Sequence, residues 1–113
     1  MKITNQTKSI ILAEQAILAG TPFKRIKGLL GKKSLEKGQA LILRPCTSIH
    51  TFFMGFALDV LFVNKDNRVV KAVSSIKPFR ITGVYFSSSF AIELPAGTIQ
   101  ATGTSIGDTL LVD

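Results

Sequence analysis

Residues 58–73, LDVLFVNKDNRVVKAV, carry the clearest structural pattern of the chain. Two largely apolar strand-like segments, 58–63 and 68–73, flank the polar segment 64–67, whose Asn and Asp residues tolerate the left-handed backbone conformations that tight turns need. This pattern predicts a β-hairpin. Residues 60–63 are apolar on both faces of a strand, so the first strand is expected to be covered on both sides and to lie inside a sheet.

Shorter apolar runs on either side of the hairpin predict further strands. They lie at residues 40–43, 49–54, 90–94 and 109–112. For two more runs, 10–13 and 16–19, we favour two strands, although apolar period alone leaves a single helix open. Residues 96–102 are expected to form a helical turn that is closed by Gly103.

One helix is predicted near residues 22–31. Thr21 and Pro22 are favourable at a helix start, and apolar residues then recur at helical spacing up to Gly31, which suits a helix end. Strands therefore outnumber helices. The expected fold class is mainly β: a single-domain β-sandwich or open barrel of about seven short strands with one short helix. A chain of 113 residues is too short for two independent cores, so one domain, 1–113, is expected.

Composition limits the function classes. The chain has 14 Lys and Arg against 7 Asp and Glu, a net charge of +7, with one Cys and one His. One Cys excludes an intramolecular disulfide and one His excludes a multi-histidine metal site, so we expect no metal and no cofactor. No apolar run approaches the ~20 residues of a membrane span and no signal peptide is visible, so we expect a soluble cytoplasmic protein with no membrane partner.

The basic segment, residues 24–37, carries six Lys and Arg residues against one Glu, which is +5 of the net charge of +7. Such a cluster could contact the phosphates of nucleic acid or an acidic protein. A solvated helix face is the simpler interpretation, because no aromatic residues for base stacking are interleaved with the lysines. Nucleic-acid binding is therefore the less favoured alternative.

Charged residues inside apolar strands are the main indication of a site. Asp59 and Glu93 each lie between two apolar residues of a predicted strand. A buried carboxylate needs a partner, and His50, Arg25, Arg80 and backbone N–H groups are the candidates. The functional interpretation is a polar pocket in which His50 exchanges a proton with a carboxylate. The structural interpretation is a set of ion pairs and capped turns.

Cys46 and His50 are the single thiol and the single imidazole of the chain, four residues apart. Along a straight strand four residues span about 13 Å, so a Cys–His pair requires the chain to turn between them. We expect instead a small buried Cys and a hydrogen-bonded His. A structural zinc site is not expected, because only Asp and Glu could supply its further ligands.

Several of these motifs occur in an order that resembles a known family. They are Arg25-x-x-Gly28-Leu29-Leu30, His50-Thr51-Phe52-Phe53-Met54, Leu58-Asp59-Val60-x-Phe62, Val69-Val70, Glu93-Leu94-Pro95-Ala96-Gly97 and Gly107-Asp108. The series resembles the family catalogued as domain of unknown function 192, a set of small prokaryotic proteins. The resemblance implies a compact, mainly β, sandwich-like domain with a short helix, and it implies no reaction. Many members look to have Trp where Phe53 stands, a departure that bears on any ligand stacking there.

The favoured hypothesis is a domain that binds a small polar or anionic ligand. Its pocket is expected to be lined by His50, Thr51, Met54, Asp59, Arg80 and Glu93, with Cys46 and Arg25 nearby. The planar guanidinium of Arg80 would neutralise an anionic group. The alternatives are an enzyme with His50 and Asp59 or Glu93 as an acid–base pair, an interaction module using the basic segment, and a purely structural domain.

Overall fold

The computed structural model describes residues 1–19, 35–51 and 55–113. Within these ranges lie eight strands and one short helix. They are β1 (Ile3–Asn5), β2 (Ile10–Ala13), β3 (Gln15–Ala19), β4 (Gln39–Leu43), β5 (Leu58–Val63), β6 (Val69–Ile76), β7 (Phe90–Pro95), α1 (Thr98–Thr102) and β8 (Leu110–Val112). The helix predicted near 22–31, most of the basic segment, Arg25 and Met54 lie outside the described residues.

The strands form two sheets. The smaller sheet is antiparallel and has the order β2-β1-β8, and the larger has the order β3-β4-β7-β5-β6, with β3 and β4 parallel. A first hydrophobic core joins residues of both sheets and α1. Its members include Ile3, Leu12, Leu61, Val63, Phe90, Ile92, Leu94, Ile99 and Leu110. The predicted fold class, a mainly β, sandwich-like domain, is confirmed.

A second core lies on the opposite face of the larger sheet. Strand residues Val60 and Phe62 contribute to it, and residues from outside the strands pack against them. These covering residues are Leu35, Cys46, Ile49, Phe56 and Tyr85. Because both faces of β5 are covered, every one of its positions is buried, as the apolar run at 60–63 predicted.

The hairpin and its neighbours agree with the sequence pattern. β5 and β6 pair antiparallel, and the turn between them is held by the Asn64 side chain, whose oxygen accepts hydrogen bonds from the N–H groups of Asp66 and Arg68, both at 3.0 Å. The runs within 10–19 form two strands that belong to different sheets, which excludes the single helix. α1 ends at Gly103 in a left-handed conformation (φ 67°), as predicted.

Two elements differ from the predictions. No strand is present at 49–51, where His50 makes a single antiparallel bridge with Ile81; the rest of that predicted strand, 52–54, lies outside the described residues. β1 was not predicted. Three residues are too few to show a period, and β1 is held by pairing with β8 at the other end of the chain, a contact that local pattern does not reveal.

A buried polar network ties β1 to the turn before β8. The Asn5 amide and the Lys8 ammonium each donate to Asp108 Oδ2 at 2.9 Å, and the Ser105 N–H donates to the same oxygen at 3.0 Å. Burial by itself raises the pKa of Asp108. The hydrogen bonds from Asn5, Lys8 and Ser105 and the charge of Lys8 outweigh burial, so the pKa lies below its ordinary value of 3.8.

We expect Asp108 to make the stability of the fold sensitive to acid. Its pKa is lower in the folded chain than in the unfolded chain, so its contribution is present at pH values above 3.8 and is lost as the pH falls through the folded-state pKa. The free energy of unfolding, measured by urea titration at several pH values, should fall more steeply in this acid range for the wild type than for Asp108→Asn. Asp66→Asn changes an exposed carboxylate and should keep the wild-type slope. Equal slopes for the wild type and Asp108→Asn would contradict this role.

Candidate functional site

The two carboxylates that the sequence singled out lie on opposite faces of the larger sheet. Asp59 is aligned with Leu94, and Glu93 is aligned with Val60. Since side chains alternate along a strand, Asp59 faces the first core and Glu93 faces the second. They are 0% and 3% exposed. The expectation that Asp59 and Glu93 line one pocket is therefore wrong, because the sheet separates them.

Asp59 binds backbone groups. Its Oδ1 accepts a hydrogen bond from the Ser75 N–H, and its Oδ2 accepts one from the Ile99 N–H, both at 2.8 Å. Ser75 lies at a bulge in β6 and has a φ of 51°, and Ile99 lies in the first turn of α1. The carboxylate thus satisfies a donor at an irregular strand position and a donor at a helix start. For this residue the structural interpretation applies.

Thr51 holds a turn in place. It is 0% exposed, its Oγ1 donates to the Lys77 carbonyl at 2.6 Å, and the same oxygen accepts from the Arg80 N–H at 2.9 Å. Its own carbonyl accepts from the Phe79 N–H at 3.0 Å. Phe79 has a φ of 60°, which is uncommon for an aromatic residue. Thr51 was expected to line a pocket. It is buried instead, and its hydrogen bonds hold the backbone of residues 77–80 in place.

An open cleft of about 450 Å³ lies beside this turn and the end of β6. It is lined by Val73, Ser75, Ile76, Lys77, Arg80, Ile81, Thr82 and Tyr85. Apolar and polar groups contribute about equally to the walls, and Lys77 and Arg80 add positive charge. Among the described residues, 1–19, 35–51 and 55–113, one ion pair is present, between Lys8 and Asp108 at 2.9 Å. Neither Lys77 nor Arg80 therefore forms an ion pair with a carboxylate of these residues.

The other predicted site residues do not all reach the cleft. Of those in the described ranges, Arg80 alone lines the cleft. His50 is exposed and pairs through its backbone with Ile81, while Cys46 is buried and its Sγ donates to the Ser48 carbonyl at 3.1 Å. Both oxygens of Asp59 bind backbone N–H groups, so the proposed His50–Asp59 acid–base pair does not form in the structure.

Sequence reasoning missed most of the cleft. Lys77, Ile81 and Tyr85 lie in the segment 77–86, KPFRITGVYF, of which only Arg80 was predicted to belong to a site. The available signal was the placement of two cations among apolar residues with no Asp or Glu. Such a pattern is also typical of an ordinary edge strand, and for that reason it did not indicate a cleft.

Comparisons with known proteins identify the family. A family model described as "Uncharacterized ACR, COG1430" (DUF192) matches residues 2–112. The chain belongs to the DUF192 family. This confirms the resemblance drawn from the motifs between Arg25 and Asp108.

Proteins from several organisms are similar to this chain. A UPF0127 protein of Thermococcus sibiricus is 30% identical over 112 residues, covering 96% of this chain and 72% of that protein. UPF0127 protein PH1112 of Pyrococcus horikoshii is 32% identical over 111 residues, covering 96% of each. A solved structure of a protein of unknown function from Novosphingobium aromaticivorans matches with a TM-score of 0.83 at 20% identity, covering 98% of this chain and 82% of that chain. At this identity the last likeness shows that the DUF192 fold is shared, and none of these names states an activity.

Two further kinds of feature, membrane-spanning helices and clusters of metal ligands, are absent from the described ranges. Their helices include none with the length and apolar character that crossing a bilayer would require. Their His, Cys, Asp and Glu side chains include no group of three or more placed to hold a metal ion.

Proposed function

We propose that this domain binds a small amphipathic anion, an organic phosphate or carboxylate with an apolar portion, in the cleft beside β6. The observation that carries the proposal is the pair of cations, Lys77 and Arg80, at one cleft whose walls are partly apolar. The anionic ligand follows the favoured interpretation of the sequence, but its site differs from the pocket expected there.

The two cations suit an anionic group in different ways. The Arg80 guanidinium presents a planar fork of donors that matches two oxygens of a carboxylate or phosphate, and the Lys77 ammonium acts as a point charge. Both side chains are exposed, so salt will screen their attraction for a ligand. The apolar portion of the ligand would gain by leaving water against Val73, Ile76 and Tyr85.

Buried polar residues support both sides of the cleft. Thr51 fixes the backbone at Lys77 and Arg80, and Asp59 fixes it at Ser75. A site whose backbone is already held in place loses less conformational entropy when it binds a ligand. Thr51 and Asp59 are therefore positioning residues in this proposal, although neither faces the ligand.

Octyl phosphate is a suitable probe because it combines the two features that the cleft offers. In a titration followed by amide NMR, it should shift the signals of cleft residues, above all those between Ser75 and Thr82. Octanol lacks the charge and inorganic phosphate lacks the apolar chain, so each should bind more weakly. Added salt should weaken the binding of octyl phosphate.

Charge-removing variants test the role of the two cations. Arg80→Gln and Lys77→Gln should each weaken octyl phosphate binding about fivefold to tenfold. Lys65→Gln is the matched control, because Lys65 is exposed in the β5–β6 turn, at the opposite end of the hairpin from the cleft. Unchanged binding by both cleft variants, or amide shifts confined to another surface, would overturn the proposal.

A further inference from the structure

We infer that the apolar loop, residues 77–86 between β6 and β7, docks the domain on an anionic membrane surface. Four of its apolar side chains face solvent: Phe79 is 70% exposed, Ile81 69%, Val84 53% and Phe86 89%. Single exposed apolar residues are common on protein surfaces. Four within eight residues of one loop form a concentrated apolar surface of the kind that marks an interaction site.

The backbone of the apolar loop is anchored to the rest of the domain. The Thr82 N–H donates to the Ile49 carbonyl at 2.9 Å, and the Tyr85 N–H donates to the Thr47 carbonyl at 2.8 Å. Phe79 is held in its left-handed conformation by the hydrogen bond of its N–H to Thr51. The exposed side chains are therefore presented by a fixed framework.

The charge of the loop selects an anionic partner. Lys77 and Arg80 are interleaved with the exposed apolar residues, and residues 77–86 contain no Asp or Glu. The whole chain carries a net charge of +7, so a second copy would be repelled. An anionic lipid surface complements these cations and attracts each of them.

The shape of the exposed side chains favours a bilayer over a folded protein partner. Phe86, which is 89% exposed, and Phe79, which is 70% exposed, project into solvent and would each need a matching pocket on a protein. The boundary between headgroups and acyl chains accepts such side chains without a matching shape, and their burial there drives interfacial binding. We had expected no membrane partner because no segment spans a bilayer, but docking by a loop requires no spanning segment.

This docking does not depend on a free small anion binding in the cleft. Ile81, Lys77 and Arg80 belong to both surfaces, whereas Phe79, Val84 and Phe86 lie outside the cleft lining. Substitutions of Phe86 therefore test the docking without changing the residues that would hold octyl phosphate.

The test is sedimentation of the full chain with lipid vesicles. We expect binding to vesicles of phosphatidylcholine mixed with phosphatidylglycerol at low salt, and at least tenfold weaker binding to phosphatidylcholine alone. Phe86→Ser should weaken the binding to anionic vesicles about tenfold, and Lys77→Gln about fivefold. Ile106→Ser is the matched control, since Ile106 is 62% exposed and lies next to Gly107, which pairs with the start of β6, far from the apolar loop.

The outcomes separate this inference from its alternatives. Equal binding to both vesicle types, no binding to either, or wild-type binding by Phe86→Ser would overturn it. A loop that binds an acidic amphipathic peptide and no vesicles would also overturn it, in favour of a protein partner. Thermal melting of each variant verifies that the fold is intact, and octyl phosphate binding by Phe86→Ser reports on the cleft separately.

Discussion

Replacing Phe62 with alanine is expected to lower the free energy of unfolding by about 3–5 kcal/mol. Phe62 is 0% exposed and lies in the second core, on an interior strand of the larger sheet. Its ring lies 4.7 Å from the Tyr85 ring, between centroids, and Tyr85 forms part of the cleft wall. The loss includes both the transfer of the ring to water and the cavity left behind. Urea unfolding gives the change directly.

Two further variants show whether the effect of Phe62→Ala comes from the burial of the side chain. Phe62→Leu keeps much of the apolar volume and should cost no more than about 1.5 kcal/mol. Phe86→Ala removes a phenylalanine that is 89% exposed and should change stability by no more than about 0.5 kcal/mol. If Phe62→Ala were as mild as Phe86→Ala, the second core would not support the sheet as the structure indicates.

Replacing Asp59 with alanine is expected to lower the free energy of unfolding by about 2–4 kcal/mol. The carboxylate accepts hydrogen bonds from the N–H groups of Ser75 and Ile99, and alanine would leave both donors without an acceptor. Hydrogen exchange at the Ser75 and Ile99 amides should also become faster, because both N–H groups would lose the hydrogen bond that protects them.

A structural role and a catalytic role for Asp59 predict different results. Asp66→Ala serves as the control, because it removes an exposed carboxylate and should change stability by no more than about 0.5 kcal/mol. An Asp59→Ala variant with wild-type stability and wild-type amide exchange would contradict the structural role.

Patterns of local periodicity predicted most of the large sheet. Residues 60–63 are apolar on both faces and lie in the interior strand β5, and the polar residues 64–67 form the turn of the hairpin. β1 could not be predicted from its three residues, since it depends on pairing with β8. Family membership was recognisable because its motifs keep their order along the chain.

The burial of the two carboxylates could be predicted from the sequence, but their structural roles could not. The sequence correctly marked Asp59 and Glu93 as carboxylates inside apolar strands, and both are buried. Their orientation depends on the register of the strands, which places Asp59 toward the first core and Glu93 toward the second. The donors that satisfy Asp59 are main-chain N–H groups, and every residue except proline has one, so no side-chain pattern could identify them.

From its sequence alone this chain was determined to be a mainly β domain of the DUF192 family, with a central hairpin and carboxylates placed among apolar residues. Those features depend on neighbours along the chain and on the order of motifs. Tertiary structure alone decided that Lys77 and Arg80 share a cleft, that Thr51 and Asp59 support its backbone, and that Phe79 and Phe86 face solvent. Each of these depends on contacts or exposure set by distant segments, because a side chain's surroundings are determined when the sheets pack together and not by the residues beside it.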